Sequence, residues 1–228
     1  MNQRVFTEKV SATMFKIIDP KNSQPILIRQ NTKIQLGTTN KPIASVFMTN
    51  PGSFEFKNNP NWEEFKNGPA NLVSFYGEDY PDLTMQMVID VIRQSYATLR
   101  IKPNGVIHIY NISNVVQPSG EQAESYHVRA KKLVRDFGVD SDILEEPVVY
   151  CKERFFEICG QSRFVMMGFV RDVFEDQVKR LVDWSKEIKN RVVAVDKKGY
   201  VSHPRRWRTE PYLKQQAIDN ILKVLSAS

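Results

Sequence analysis

Apolar positions along this chain follow two rhythms. Residues 43–48 (IASVFM), 106–110 (VIHIY), 164–169 (FVMMGF) and 192–195 (VVAV) are continuous apolar runs. They are too short for helices and read as strands buried on both faces. Between them the spacing changes. Met85, Val88, Ile89, Ile92, Tyr96 and Leu99 recur three and four apart, which puts them on one face of a helix. Three more stripes follow: Tyr126, Ala130, Leu133, Val134 and Phe137; then Phe174, Val178, Leu181, Val182 and Ile188; then Ile218, Ile221, Leu222 and Leu225. Ser119 and Gln122 have the spacing of a capping box ahead of the first of these three. Residues 138–163 are less clearly patterned, with 152–158 read as a short helix. The stretch after the first strand, rich in Asn, Phe and Pro, reads as a long loop.

Strands that alternate with helices predict parallel β-α-β units. The expected fold is a three-layer α/β/α sandwich on a four-stranded parallel sheet. The first forty residues differ. Residues 12–18 and 26–28 are β-type runs separated by Asp19-Pro20-Lys21-Asn22-Ser23, a turn-forming stretch. Residues 1–40 are therefore read as an N-terminal β-hairpin extension and 41–228 as a single α/β domain. No internal repeat or low-complexity linker interrupts the chain.

Composition narrows the class. With 228 residues the chain is long enough to hold a core without metals or disulfides. Lys and Arg number 32 against 26 Asp and Glu, a net charge of +6 that permits a polyanionic partner. The two cysteines, Cys151 and Cys159, lack metal-ligand spacing and read as core packing in a reducing compartment. No metal and no cofactor is expected. The N-terminal MNQRVFTEKV has no apolar signal core. No apolar run approaches the ~20 residues that cross a bilayer. A cytoplasmic protein without a membrane partner is expected, and its oligomeric state stays open.

In an open parallel sheet, ligands bind beyond the carboxyl ends of the strands. Three polar loops sit there: Thr49-Asn50-Pro51-Gly52-Ser53, Asn111-Ile112-Ser113-Asn114, and Ser202-His203-Pro204-Arg205-Arg206-Trp207. They would bring two amides, an imidazole and a basic, aromatic tip to one crevice. Common nucleotide and hydrolase signatures, G-x-G-x-x-G, the Walker loop and G-x-S-x-G, are absent. Asp79 and Asp82, flanking Tyr80-Pro81, read as loop solubility and helix capping. His108, inside a strand, is expected to be buried. His127, on a helix, is expected at the surface or in packing.

These motifs and their order resemble the uracil-DNA glycosylase superfamily. Met48-Thr49-Asn50-Pro51-Gly52 is similar to the first motif of its mismatch-directed branch, which acts on uracil and thymine. Ile107-His108-Ile109-Tyr110-Asn111 matches a middle motif, an apolar strand ending in Asn. Ser202-His203-Pro204-Arg205 is similar to the last motif, H-P-S, with Arg205 where Ser is expected. The chain also resembles an uncharacterised bacterial family with N-P-S, N-L and G-x-P-x-H-P-L at these places; Lys198-Gly199-Tyr200-Val201-Ser202-His203-Pro204 matches the last of these. The resemblance covers residues 41–225, and residues 1–40 have no counterpart.

The resemblance implies a DNA glycosylase that flips out and excises a pyrimidine. Asn50 would position the attacking water, and His203 would hydrogen-bond a base carbonyl oxygen as negative charge develops on it. Asn111 would read the pyrimidine edge. Phe54 or Phe56 would stack on the flipped base, with core packing the alternative for both. Arg205, Arg206 and Arg208 would neutralise DNA phosphates, and Trp207 would wedge into the gap left by the base; a solvated basic loop around a packed Trp is the alternative. Gly52, followed by Ser53, stands where uracil-strict branches carry a bulky aromatic. It leaves room for thymine or for a hydroxymethylated or glucosylated cytosine, as in modified phage DNA. Ser53 is expected, with Gly52, to contact the base. Three other functions remain open: a non-catalytic nucleic-acid or nucleotide-binding module, an N-glycosidase of free nucleosides or nucleotides, and a structural or interaction protein whose N-terminal hairpin docks a partner.

Overall fold

Short, doubly buried apolar strands need cover on both sides, and the chain supplies it by alternating strands with amphipathic helices. The computed structural model describes residues 6–21 and 23–227. Residues 1–5, Asn22 in the expected turn, and Ser228 lie outside the described residues. In chain order the elements are β1 (Val10–Ile18), β2 (Pro25–Leu36), β3 (Pro42–Met48), α1 (Trp62–Asn67), β4 (Ser74–Asp79), α2 (Leu83–Thr98) and β5 (Gly105–Asn111). They continue with α3 (Ala123–Asp136), α4 (Lys152–Gln161), β6 (Phe164–Gly168), α5 (Glu175–Ser185), β7 (Arg191–Val193) and α6 (Pro211–Ser226).

All seven strands form one mixed sheet in the order β4-β1-β2-β5-β3-β6-β7. The sheet is therefore larger than the four-stranded parallel one expected. Strands β5, β3, β6 and β7 run parallel to one another. The rest is antiparallel. β1 and β2 form the expected hairpin, but β2 continues to Leu36 and hydrogen-bonds to β5 from Thr32↔Ile109 to Leu36↔Gly105. β4 adds to the far side of β1. Both differences have a physical cause. In β4 Ser74, Tyr76 and Glu78 are exposed, so this edge strand has no apolar run to mark it. The last half of β2 alternates polar and apolar residues, as a strand with one wet face does.

The central strands show why their runs are continuous. Val46 and Met48 of β3 and Met166 of β6 join the core beneath α2 and α6. Phe47, Val165 and Met167 join a second core on the opposite face, with Phe155 of α4 and Leu181 of α5. A third cluster packs Ala130, Leu133 and Val134 of α3 on Ile17, Ile26 and Ile28 of the hairpin. Helices thus cover both faces of the sheet. The capping box does not form. The Ser119 side chain makes no capping bond, and a 3-10 turn at Gly120–Gln122 leads into α3. Asp82 does cap α2, accepting from the Met85 amide at 2.9 Å.

Among the described residues no helix is long and apolar enough to cross a membrane. Among them, too, no three His, Cys, Asp or Glu side chains gather as a metal site.

Candidate active site

Parallel strands deliver their carboxyl ends to one edge of the sheet, and there the polar loops meet. The backbone holds them in register. The Ile112 amide donates to the Met48 carbonyl and the Ser113 amide to the Thr49 carbonyl, so the loop after β5 runs on beside the loop after β3. The Val170 amide, after β6, donates to Thr49 Oγ1 at 2.8 Å. Ser202 bridges to Phe169, which brings the histidine loop alongside. Gly168 makes that approach possible. A Cβ there would lie 2.4 Å from Pro204 Cδ, so a larger residue would push the His203-Pro204 turn away from the sheet.

A cavity of about 330 Å³ lies at this edge. Arg29, Asn50, Gly52, Asp82, His203 and Arg205 are among the residues that line it. That volume is at the lower end of small-molecule sites. Asn50 is 6% exposed, and its Nδ2 donates to the Gln117 carbonyl at 2.7 Å. This bond fixes the amide and leaves Oδ1 as an unbonded acceptor, suited to hold a water by its hydrogen. The Arg205 amide donates to His203 Nδ1 at 3.3 Å. Burial pushes the imidazole pKa down to about 4, aided by the Arg205 charge. The ring is therefore neutral at pH 7 with its proton on Nε2, a donor for an oxygen that gains negative charge. Gly52 has φ +67°, the left-handed region glycine favours, and a Cβ there would meet only Asp82 Oδ2 at 3.7 Å. The cavity is open at this position, while any side chain placed there would strain the turn.

Beside the cavity lies a broad groove of about 1350 Å³. Glu121, Val170, His203 and Arg205 line both, so the two spaces join at the histidine loop. Arg171, Lys179, Arg208 and Tyr200 also face the groove. Tyr200 is exposed, with the Arg171 guanidinium 4.1 Å from its ring centre.

Other expected site residues lie elsewhere. Trp207 is 1% exposed, packs in the core beneath α2 and α6, and donates from Nε1 to Ser202 Oγ at 2.9 Å. It is not a wedge at the surface, because the large ring is worth more in the core. Arg206 is held by Asp196 at 2.8 Å and by both oxygens of Glu210 at 2.7 and 3.0 Å. Its charge is already matched within the protein; Arg205 and Arg208 are the exposed arginines of the tip. Phe56 is fully buried against Phe54 and Trp62, with ring centres 5.3 and 5.4 Å away. Phe54 lies under Arg29, with the guanidinium 5.0 Å from the ring centre, so its face is already used. Neither Phe lines the cavity, and Ser53 is exposed outside it. Asn111 is 1% exposed with both amide atoms unpartnered, paired with Met48 in the ladder but not lining the cavity.

Arg29 and Asp82 were not expected here. Arg29 is fully buried, and its Nε, Nη1 and Nη2 make no hydrogen bond. Burial pulls its pKa down to about 10, with the Asp82 charge acting in the opposite sense. The available signal was a charge inside an apolar run, Leu27-Ile28-Arg29.

A Ser-His-Glu chain also exists. His127 Nδ1 is 2.9 Å from Ser113 Oγ, and His127 Nε2 is 3.2 Å from Glu145 Oε1. Ser113 is fully buried and lines neither space, so the chain pins α3 to the loop after β5 instead of offering a nucleophile. His127 is accordingly buried, while His108 is only half-buried in β5.

These histidines link folding to pH. Burial holds His203, His127 and His108 all below the ordinary imidazole value. Once unfolded, each takes up a proton below about pH 6.5. Stability is therefore complete above that pH and is lost as pH falls toward 4. His203 alone accounts for on the order of 2 kcal/mol of this loss. Urea unfolding between pH 7 and 4.5 should show the decline, with a shallower slope in His203→Asn. An equal slope in that variant would rule out His203 as a source.

Comparison of the chain with protein-family models, with curated proteins and with solved structures finds no match in any of the three.

Proposed function

We propose that this protein is a DNA glycosylase that hydrolyses the N-glycosidic bond of a flipped-out pyrimidine and leaves an abasic site. One observation carries the reading: an amide oxygen without a partner on Asn50 and a neutral, Nε2-protonated His203 line the same small cavity. Cleavage of the C1′–N bond makes a cationic sugar and an anionic base. Asn50 Oδ1 would hold the water that attacks the sugar, and His203 would donate to the base oxygen on which charge collects. Neutral imidazole keeps one N–H donor, on Nε2, for this task because Nδ1 already accepts from the Arg205 amide. The base must leave the helix to reach the cavity. The adjoining groove, with Arg171, Lys179, Arg205 and Arg208, would hold the strand by its phosphates. The three strand-end motifs that resemble the uracil-DNA glycosylase superfamily support the same reading, as do the four parallel strands that carry them.

A second reading draws on the tip. With Trp207 in the core and Arg206 ion-paired, the loop is a weaker DNA clamp than its sequence implies, which favours an N-glycosidase of free nucleosides or nucleotides. A single-turnover assay separates the readings. Labelled single- and double-stranded DNA carries uracil, mismatched thymine, hydroxymethylcytosine or its glucosylated form, and alkali reveals abasic sites. Strand breaks at one of these bases are expected. Cleavage of free nucleosides only would establish the second reading. Tight, salt-sensitive binding without abasic sites would establish a non-catalytic binding module.

A further inference from the structure

Two groups in the cavity have unmet hydrogen-bonding capacity of opposite kinds. Arg29 projects from β2, where its backbone amide donates to the Asn114 carbonyl at 2.8 Å, so the strand itself is fully engaged. Its guanidinium rests on the Phe54 ring and offers donors that nothing among the described residues accepts. Asp82 uses Oδ1 to cap α2, while Oδ2 takes no hydrogen bond. That Oδ2 is the atom facing the place where Gly52 lacks a side chain. A buried guanidinium without an acceptor is costly to maintain, and it is kept where something else supplies the acceptor. Because the nearby charges of Arg29 and Asp82 oppose each other, the spot is not a simple anion site. The group that satisfies both must accept from one side and donate to the other, and a hydroxyl is the smallest substituent that does so through a single atom.

We propose that Arg29 and Asp82 form a subsite for a hydroxylated substituent on the bound ligand, with Arg29 donating to the hydroxyl oxygen and Asp82 Oδ2 accepting its hydrogen. That the substituent sits on C5 of a pyrimidine rests on the base-excision reading; the hydroxyl preference rests on the cavity alone. A polar, neutral C5 group would be recognised here, whereas a methyl leaves both Arg29 and Asp82 unmatched and a carboxylate meets Asp82 as a like charge.

The test is binding of the full chain to single-stranded DNA with one non-cleavable 2′-fluoroarabino nucleotide. The base is thymine, 5-hydroxymethyluracil or 5-carboxyuracil, which share one Watson-Crick edge. Anisotropy should give at least tenfold tighter binding of the hydroxymethyl base than of thymine, and no such gain for the carboxyl base. Arg29→Met should cut the ratio below threefold. Asp82→Asn, which keeps the helix cap, should do the same and serves if Arg29→Met fails to fold. Equal affinity for thymine and the hydroxymethyl base, a ratio that survives both substitutions, or tighter binding of the carboxyl base would each overturn the subsite. If DNA does not bind, calorimetry with the free bases reads the same ranking, and no preference there is equally decisive. Abasic-site formation on cleavable strands is scored separately. A hydroxyl preference without abasic sites would overturn excision and leave the subsite standing, and abasic sites without the preference would do the reverse.

Discussion

Asn50→Ala is expected to lower single-turnover base excision by about 10²–10⁴-fold, the range for removing one group that positions or activates a reactant. Binding to substrate DNA should remain within a few-fold, because the groove proposed to hold the strand is lined by Arg171, Lys179, Arg205 and Arg208 and not by Asn50. The separation follows from the residue's geometry. Nδ2 is spent on the Gln117 carbonyl, so only Oδ1 is free for chemistry. The substitution leaves the buried Gln117 carbonyl without its donor, at a cost of about 1–3 kcal/mol, and the fold survives it. Asn50→Asp provides the contrast. It retains an acceptor oxygen but faces the Gln117 carbonyl with another acceptor, so its activity should lie between the two. A loss of binding that matches the loss of excision in Asn50→Ala would make Asn50 a ligand contact without a role in catalysis.

Legibility in the sequence depended on which physical signal each element carries. The four parallel strands were readable because burial on both faces makes them apolar throughout, as Phe47 and Val46 in adjacent cores show. Helices α2, α3, α5 and α6 were readable from their stripes. The antiparallel half was only partly so. β4 is an edge strand whose side chains point mostly to solvent, and β2 looked three residues long because its continuation alternates. Of the site, Asn50, Gly52 and His203 could be placed from strand-end position alone, since topology brings those loops to one cavity. Arg29 could not. Its strand pairs antiparallel to β5, and only the folded sheet carries it beneath a loop that follows β3. The aromatic residues were the hardest to assign. Phe54, Phe56 and Trp207 stand beside the motifs in sequence, but adjacency does not decide which face of a loop turns inward. Core burial of a large ring competes with any role at the surface.

Trp207→Ala turns that competition into a measurable stability loss. The ring is fully enclosed in the core formed with α2 and α6, and its indole N–H is satisfied by Ser202 Oγ. Removing a buried Trp costs about 3–5 kcal/mol, through lost contacts and the cavity left behind. In a chain of this size, at about 2–4 °C per kcal/mol, that lowers the thermal midpoint by roughly 6–20 °C. The effect should appear without DNA and should not depend on salt. Ser202→Ala should cost less, about 1–3 kcal/mol, because it leaves the indole N–H buried without an acceptor but keeps the packing. A wedge residue would behave in the opposite way, with an unchanged midpoint and weaker engagement of duplex DNA. Because Trp207 follows Arg205 and Arg206 directly, its packing also sets the course of the histidine loop. Part of the activity loss in Trp207→Ala would therefore come from His203 shifting relative to Asn50. The part that comes from unfolding should shrink at low temperature as the native population recovers, whereas the part from the displaced His203, like the loss in Asn50→Ala, should persist.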